Sequence, residues 1–310
     1  MGTQSLASST GDFIKMEQLE PVNLPRLEGR LLRDESGVSR FMGETSEAAF
    51  LDHVKEFINT FIPLSGAEDV PIVAPSLPSR QDNALFSTLG TYSSLDSHPL
   101  PDLNVQPLWL PNPSNITAML SSLRSLIQDG AEGAFPSGGI FYFGDLSQLP
   151  IRAPPTNPEE PDLQEYRHLA FFHAAFALTC QSNITKRPTT ASEKFVSQAF
   201  FARATSILEN PLDVAQLKVE DVATLAMMGM YLLEMHRVDT AALYITTAVK
   251  ACEMFGLHVQ SSDSGSVEGE QRRRVFWTVY VLDRMVSCML GRSFAFADDA
   301  ISTLLPMDIL

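Results

Sequence analysis

The sequence predicts an all-α protein made of antiparallel helical hairpins, with one small β-hairpin near its start and long loops rich in proline and serine. Two observations support this fold class. In the second half of the chain, apolar residues recur at steps of three and four, which is the spacing of one face of a helix. These runs begin and end at residues that start and stop helices, such as Thr190 with Glu193 and the later Gly256. The chain is therefore expected to fold as a succession of packed helices.

The composition indicates a globular protein with an acidic balance. Of the 310 residues, 37 are acidic and 22 are basic, so the formal net charge is -15. This charge does not provide the basic surface that binds nucleic acid, so DNA contact is expected only through another module or a partner. No apolar run reaches the roughly 18 residues of a membrane span, and no membrane association is expected. Cys180, Cys252 and Cys288 each fall in an apolar helical pattern and are interpreted as buried thiols.

The N-terminal part divides into a flexible segment, residues 1–23, and a β-hairpin followed by a helix, residues 24–64. Short apolar segments flank a turn-forming sequence at residues 34–37, which predicts the hairpin. Thr45 or Ser46 is placed to cap the helix that follows. The apolar face of this helix is expected to contain Phe50, Val54, Phe57, Ile58 and Phe61.

A stretch with eight prolines and many serines follows at residues 65–114. We interpret it as a linker or an extended surface loop between two units, because long loops without secondary structure are uncommon inside compact domains. A helical domain is expected at residues 115–310, with its core at 160–306. Within it, the segment GGIFYFGDL at residues 138–146 predicts a short strand or a packed plug. The first helix of this domain is expected to bury Ile116, Met119, Leu120, Leu123 and Ile127.

Two capping boxes predict the starts of two further helices. Asp162 and Thr190 each stand three residues before a glutamate, a spacing at which two side chains satisfy the first free backbone amides of a helix. His168 and His173 belong to the first of these helices but do not share a face. The sequence also lacks an HExxH motif and paired CxxC motifs, so no metal site is expected.

A helical hairpin is predicted next. An apolar stripe runs along residues 220–234, and Asp239 is placed to cap the following helix. The connection at residues 236–238 is so short that the two helices must pack antiparallel. The methionines of the first helix are interpreted either as core residues that fill gaps or as a soft surface that adapts to ligands. They are Met227, Met228, Met230 and Met235.

The residues from Gly269 to Arg292 predict a long helix at the centre of the domain. Its apolar side chains cover nearly every side, which predicts a buried helix. Three arginines at residues 272–274 lie near the positive end of the helix dipole and therefore need acceptors. Asp283 and Arg284 interrupt the apolar run and are expected to form a matched, hydrogen-bonded pair. The main apolar stripe contains Val275, Phe276, Val279, Leu282, Val286, Met289 and Leu290.

Several ordered motifs resemble one known family. Residues 272–284 read RRRVFWTVYVLDR, and the predicted hairpin directly upstream ends in GLH at residues 256–258. Residues 40–51 read RFMGETSEAAFL. Together these motifs resemble the central regulatory region, or middle homology region, of fungal zinc-cluster transcription factors. The similarity is strongest over residues 160–306, and it departs from the family where Ser293 stands in place of the usual proline after Gly-Arg.

The resemblance implies a regulatory domain of a fungal transcription regulator, which acts in the nucleus on transcription by RNA polymerase II. Its partners would be co-regulator proteins or a small-molecule effector, and the chain could also form a homodimer. The six-cysteine zinc cluster that gives the family DNA binding and zinc ion binding does not occur in this sequence, so zinc is expected only in a separate module. The residues that match the family's structural and regulatory motif are Arg273, Arg274, Phe276, Trp277, Tyr280, Asp283, Arg284, Gly291 and Arg292.

Each part of this motif also has a purely structural interpretation. The arginines at residues 272–274 either recognise an anionic ligand or partner or form internal salt bridges, and the five donors of each guanidinium favour salt bridges. The aromatic cluster of Phe276, Trp277 and Tyr280 either lines an effector pocket or belongs to the core, and aromatic residues at helical spacing favour the core.

The sequence does not indicate an enzyme, and no catalytic residues are assigned. It contains no GxSxG, GxxxxGK[ST] or GxGxxG motif. Asp298 and Asp299 resemble the acidic pair of a metal-dependent α-helical enzyme, but Ser302 stands where a further acidic residue is needed. The alternative function is a tetratricopeptide-like helical scaffold for protein–protein interaction, because antiparallel hairpins rich in alanine also build such arrays.

Overall fold

The computed structural model describes residues 29–33, 37–61, 95–127, 163–185, 191–260 and 266–306. In these ranges the chain is mostly helical and has one two-stranded antiparallel sheet, which confirms the predicted fold class. The strands are β1, Arg30–Arg33, and β2, Ser39–Met42. The helices are α1, Glu47–Phe61; α2, Pro113–Ile127; α3, His168–Thr185; α4, Ala191–Leu208; α5, Val219–Glu234; α6, Val238–Met254; and α7, Val267–Leu290.

Some sequence predictions fall outside the described residues. These are the flexible segment 1–23, the turn at 34–36, the GGIFYFGDL segment, and the side chains of Asp162 and Thr190. The division of the chain into domains stays a prediction. In the part that the structure describes, no helix is long and apolar enough to cross a lipid bilayer.

The β-hairpin is confirmed. Leu31 lies opposite Phe41, and both side chains are exposed, whereas Leu32 and Met42 point into the core. This alternation is the one expected of a strand pair with one buried face.

Helix α1 begins at a serine cap and packs through its smallest side chains. The amide of Ala49 donates a hydrogen bond to Oγ of Ser46 at 3.2 Å, so Ser46 is the capping residue and not Thr45. Phe50 and Phe57, on the predicted apolar face, are 63% and 64% exposed, while Ala49 is fully buried. A helix that packs through alanine can approach its neighbours more closely than one that packs through phenylalanine.

Residues 95–112, here called the strap, cross the helical body without regular secondary structure apart from a short 3-10 turn at Leu95–Ser97. Of the linker or loop predicted at residues 65–114, residues 65–94 lie outside the described residues, and Pro113 already begins α2. Residues 95–112 are extended as predicted, but they are held against the helices. Leu100, Leu108 and Leu110 pack against the core. Helix α2 follows the strap directly and buries Ile116, Leu120 and Leu123, as predicted.

Helices α3 to α7 form the main body. Helix α3 packs against α4 and α5, α5 packs against α6, and α6 packs against α7. The predicted antiparallel hairpin of α5 and α6 is confirmed, and Gly229 lies against α6, where an added Cβ would lie 2.7 Å from Cγ1 of Ile245. A side chain at this position would force the side chain of Ile245, or the helix that carries it, to shift.

Three details of the helical body differ from the prediction. Helix α3 begins at His168, after a 3-10 turn at Leu163–Tyr166, and not directly after Asp162. Helix α7 is not buried on nearly every side, because Met289 is 43% exposed. Cys288, next to it, is exposed as well, whereas Cys252 is buried as predicted. Periodicity identifies the apolar residues of a helix, but it does not show how much of their surface the neighbouring helices cover.

Candidate regulatory site

The first turns of α7 contain the acceptor for two of the three arginines. Ser266 caps the helix by accepting a hydrogen bond from the amide of Gly269 at 2.9 Å. Arg273 and Arg274 then lie one turn after Glu270 and contact its two carboxylate oxygens at 2.5 Å and 2.7 Å. Burial raises the pKa of Glu270, but the hydrogen bonds from the two arginines outweigh this effect and hold the pKa below its ordinary value. This geometry is the salt-bridge arrangement that the sequence favoured.

Arg272, the remaining arginine, is exposed and donates to the carbonyl oxygen of Phe255 at 3.3 Å. It lies beside a small cavity of about 20 Å³ between the loop at residues 256–260 and Thr303. A cavity of that size holds about one water molecule. A ligand larger than water would therefore need the chain to move around it.

Asp283 attaches the segment after α7 to the helix. This segment, residues 293–306, is here called the tail. Asp283 is only 3% exposed, and its carboxylate accepts hydrogen bonds from the amides of Ala295 at 3.0 Å and Phe296 at 3.3 Å. It also accepts one from Arg284 at 2.6 Å. A buried carboxylate with this many donors is satisfied, and it fixes where the tail begins.

Arg284 holds the same tail from the outside. Its guanidinium lies 4.1 Å from the ring centre of Tyr280 and 4.2 Å from that of Phe294, and it donates to the carbonyl oxygen of Phe296 at 2.9 Å. It also contacts the carboxylate of Asp298. The hydrogen bonds from Arg284 and Tyr280 hold the pKa of Asp298 below its ordinary value. Asp298, considered above as part of an acidic pair, is thus paired with Arg284, the residue of α7 that holds the tail.

The aromatic side chains of α7 pack as a cluster against the tail. Phe276 meets Trp277 edge-to-face at 5.3 Å and Phe296 at 5.4 Å between ring centres. Nε1 of Trp277 donates to the carbonyl oxygen of Leu304 at 2.8 Å, so the indole holds the far end of the tail. Phe276 is buried and Trp277 is half-buried. The tail therefore covers part of the aromatic cluster of α7.

The C-terminus of α7 meets the β-hairpin at two glycines. Gly291 adopts a φ of 62°, the left-handed conformation that favours glycine at the end of a helix. The amide of Gly43 donates to the carbonyl oxygen of Leu290 at 2.9 Å. A Cβ added to Gly43 would lie 1.6 Å from the carbonyl oxygen of Gly291, so neither glycine can be replaced by a residue with a side chain unless the two segments separate. The motif glycine is therefore needed both for its conformation and for this contact.

Arg292 and Asp239 extend this contact to helix α6. Arg292 donates to the carbonyl oxygen of Phe41 at 3.0 Å and to the carboxylate of Asp239 at 2.7 Å. Asp239 also lies 3.7 Å from the guanidinium of Arg40 on β2. The prediction that Asp239 caps α6 is wrong: Arg237 is the N-cap residue, and Asp239 makes these ion pairs instead. A sequence pattern cannot distinguish the two roles, because both place a carboxylate in the first turn.

The capping group of α6 comes from the strap. Asp96 accepts hydrogen bonds from the amides of Asp239 at 2.9 Å and Thr240 at 3.0 Å, and it also contacts the hydroxyl of Thr240. The sequence does not indicate this role of Asp96, because a capping residue that lies 144 positions from Thr240 leaves no local pattern. The structure thus brings the strap, the β-hairpin, α6 and the end of α7 together around the first turn of α6.

The methionines of α5 serve mainly as core. Met227 and Met228 are fully buried, and Met230 is half-buried against the same core. The other interpretation, a methionine surface that adapts to ligands, applies only to the partly buried Met230 and Met235.

Comparisons with known proteins place this architecture in a family. The family described as "Fungal specific transcription factor domain" matches residues 154–309. Among curated relatives, the thiamine repressible genes regulatory protein thi1 of Schizosaccharomyces pombe is 31% identical over 36% of this chain and 14% of its own length. An uncharacterized transcriptional regulatory protein of the same yeast is 24% identical over 91% of this chain and 33% of its own length.

A third relative, "Activator of stress genes 1" of Saccharomyces cerevisiae, is 24% identical over 50% of this chain and 16% of its own length. The chain thus spans about a third or less of each of these relatives. No solved structure matches. The family match covers half of the chain, from before α3 to the end of the tail, and includes all the motif residues described above from Arg273 to Arg292. The chain therefore belongs to the family of the fungal-specific transcription factor domain.

Proposed function

We propose that this chain is the effector-response domain of a fungal transcription regulator and that it acts in the nucleus on transcription by RNA polymerase II. Membership of the family and the similarity to transcriptional regulators support a role in transcription regulation. DNA contact would come from another module or from a partner, because the chain has a net charge of -15. In this proposal the chain has no catalytic activity and no cofactor of its own, and zinc belongs to the module that reads DNA.

The observation that carries the proposal is how the tail is attached to α7. Asp283, Arg284 and Trp277 hold it through hydrogen bonds to backbone groups and an ion pair. Each such hydrogen bond contributes about 0.5–3 kcal/mol net, so a ligand that replaces the tail must offer comparable polar and apolar contacts to α7. The cavity beside the tail holds about one water molecule, so an effector that binds at this place would have to displace the tail.

The mechanism would be a shift between two populations, one with the tail on α7 and one with the tail released. A co-regulator protein or small-molecule effector that binds only the released form draws the chain toward it, in proportion to its difference in affinity for the two forms. Release of Ala295 and Phe296 from Asp283 would expose the aromatic cluster of α7. This exposure would create or remove a surface that binds a partner, including a second copy of this chain.

A reporter assay tests this proposal. The whole chain is fused to an unrelated DNA-binding module, and transcription is measured for the wild type and for Asp283→Asn with candidate metabolites present or absent. We expect the substitution to change the output and to weaken its response to an effector. Asp299→Asn, at an exposed position in the same tail, is the matched control. If neither Asp283→Asn nor any added metabolite changes the output, the chain is not an effector-response domain.

The helical scaffold remains the second candidate, and one observation favours it. The pair α3 and α4 packs against the pair α5 and α6 through α3 and α5, as successive hairpins do in a helical repeat array. A scaffold would capture partner proteins without any dependence on the tail. Partner capture that is the same for the wild type and for Asp283→Asn, together with an unresponsive reporter, would favour this function.

A further inference from the structure

The strap lies on the helical body as a ligand would lie in a groove. At one end, Asp96 caps α6, and Arg237 donates to the carbonyl oxygen of His98 at 2.6 Å. At the other end, the ring of Trp109 stacks under the guanidinium of Arg203, 4.6 Å from its ring centre, and lies 6.1 Å from the ring of Phe200. Both ends are anchored, and residues 101–105 between them are exposed or half-exposed.

The surface under the strap is complementary in charge to an acidic segment. It offers the guanidinium groups of Arg203 and Arg237 and the free amides at the N-terminus of α6, which carry a partial positive charge. Two guanidinium groups and the N-terminus of a helix give this groove a cationic character. The strap satisfies it with one carboxylate, from Asp96, and with backbone carbonyls.

The strap does not satisfy all the buried polar groups beneath it. Nε of Arg237 is buried and has no hydrogen-bond partner among the described residues. The ring of His173 is fully buried, stacks on Phe200 at 5.9 Å, and lies near the carbonyl of Pro107, yet neither ring nitrogen makes a hydrogen bond of good geometry within the described structure. Unsatisfied polar groups are costly to bury, so the strap is an imperfect occupant of this groove.

We propose that the groove under the strap is a docking site for an extended segment of a partner protein that carries a carboxylate at one end and a large aromatic ring at the other. The strap occupies the site in the absence of the partner and is displaced when the partner binds. The inference deepens the proposed function and rests on it for the partner's role as a co-regulator. The binding experiment below uses no transcription, so it can fail while the reporter assay succeeds, and the reverse.

The probe is a fluorescent synthetic peptide with the sequence of residues 95–111 of this chain. It is titrated against the full chain carrying Asp96→Ala and Trp109→Ala, which removes the cap of α6 and the aromatic anchor and so loosens both ends of the strap. We expect this chain to bind the peptide about tenfold more tightly than the wild type, whose own strap competes. A peptide with the same two substitutions should not bind. The matched control chain carries Asp102→Ala and Leu212→Ala, two exposed positions, and should behave like the wild type.

Binding to the loosened chain that is no stronger than to the control chain, with unchanged helical circular dichroism, would overturn the proposal. If the loosened chain instead forms a complex with the wild-type chain, whose strap is intact, without added peptide, the occupant is the strap of a second copy, and the partner-protein inference is wrong.

Amide hydrogen exchange on the wild type provides a test that does not depend on the variants folding. We expect the amides of His98 and Trp109 to exchange through local opening, many times faster than the amide of Met228 in the core helix α5. If these strap amides exchange only when the whole chain unfolds, the strap is a fixed part of the fold and the docking site does not exist.

Discussion

At the scale of single residues, Asp283 shows how a buried charge can organise a segment that has little regular structure of its own. Replacing it by alanine leaves the amides of Ala295 and Phe296 without their acceptor and leaves Arg284 with one partner fewer. We expect Asp283→Ala to lower the free energy of unfolding by about 2–3 kcal/mol, because unpaired polar groups then remain in a mostly buried place. Urea unfolding measures this change.

The matched control for this prediction is Asp299→Ala. Asp299 is exposed and lies in the same tail, so its replacement should change the free energy of unfolding by no more than about 0.5 kcal/mol. Hydrogen exchange should also increase at Ala295 and Phe296 in Asp283→Ala and stay unchanged in the control. Equal effects of the two substitutions would show that Asp283 does not hold the tail.

His173 makes stability depend on pH. Burial, assisted by the charge of Arg203, lowers its pKa to about 3, while the nearby carbonyl of Pro107 opposes this only weakly. In the unfolded chain a histidine has a pKa of about 6.5. Between these two pKa values the unfolded chain binds a proton at His173 that the folded chain does not bind. The free energy of unfolding is therefore not reduced by His173 above about pH 6.5, and it decreases as the pH falls from about 6.5 toward 3.

The test compares the wild type with His173→Phe, which keeps an aromatic ring next to Phe200. From pH 6 to pH 4 the free energy of unfolding of the wild type should fall, relative to the variant, by up to about 1.4 kcal/mol per pH unit. Carboxylates that titrate in this range are common to both proteins and cancel. A difference between the two proteins that does not vary with pH would mean that His173 is not held in its neutral form.

At the scale of secondary-structure elements, the joint between the β-hairpin and α7 depends on two backbones in contact. Gly291 and Gly256 end α7 and α6 with nearly the same φ, 62° and 64°, but a Cβ at Gly291 would lie 2.7 Å from the carbonyl group of Gly43, whereas a Cβ at Gly256 would meet nothing within 4 Å. Gly256→Ala therefore measures the conformational penalty alone, which is about 1 kcal/mol.

Gly291→Ala should cost this penalty and, in addition, about 1–3 kcal/mol for separating the hairpin from the helix. Urea unfolding of the two variants gives the difference, and hydrogen exchange at Gly43 shows whether the hairpin has moved. Equal losses of stability in both variants would mean that the contact between Gly43 and Gly291 contributes nothing to the fold.

The elements themselves were largely predictable from the sequence, because spacing and capping are local. The stripe of α5, with Val222, Leu225 and Met228, is fully buried as the three- and four-residue steps predicted. What surrounds an element was less predictable. Phe50 on α1 and Met289 on α7 follow the same apolar pattern and yet are exposed, because periodicity does not identify the neighbour that covers a face.

At the scale of the whole molecule, the candidate site was predicted in part. The salt bridges of Glu270 and the pair of Asp283 with Arg284 lie within one helix, and the sequence alone suggested that they would be matched. The role of the strap could not be predicted. Asp96 reaches the first turn of α6 only after the chain has folded, and a stretch rich in proline and serine gave no sign that it would supply a helix cap.

Asp239 is the residue at which distant segments of the molecule meet, and it supports a last prediction. Its carboxylate pairs with Arg292 after α7 and with Arg40 in the hairpin, and only 13% of its side chain is exposed. Glu253 is a carboxylate on the same helix that pairs with Lys250 at 2.8 Å but is 37% exposed. The two residues therefore differ in burial and in the distance along the chain to their partners, and not in the kind of contact.

We expect Asp239→Ala to lower the free energy of unfolding by about 1–3 kcal/mol, because two guanidinium groups lose a partly desolvated partner. Glu253→Ala should change it by at most about 1 kcal/mol, as is usual for surface ion pairs. Hydrogen exchange in Asp239→Ala should increase in β2 and at Gly43 while α3 to α5 stay protected, since the lost contacts join the hairpin to the helical body and lie outside the core. If protection falls equally in the hairpin and in α5, Asp239 supports the helical core itself, and the two parts of the molecule are more tightly coupled than their contacts indicate.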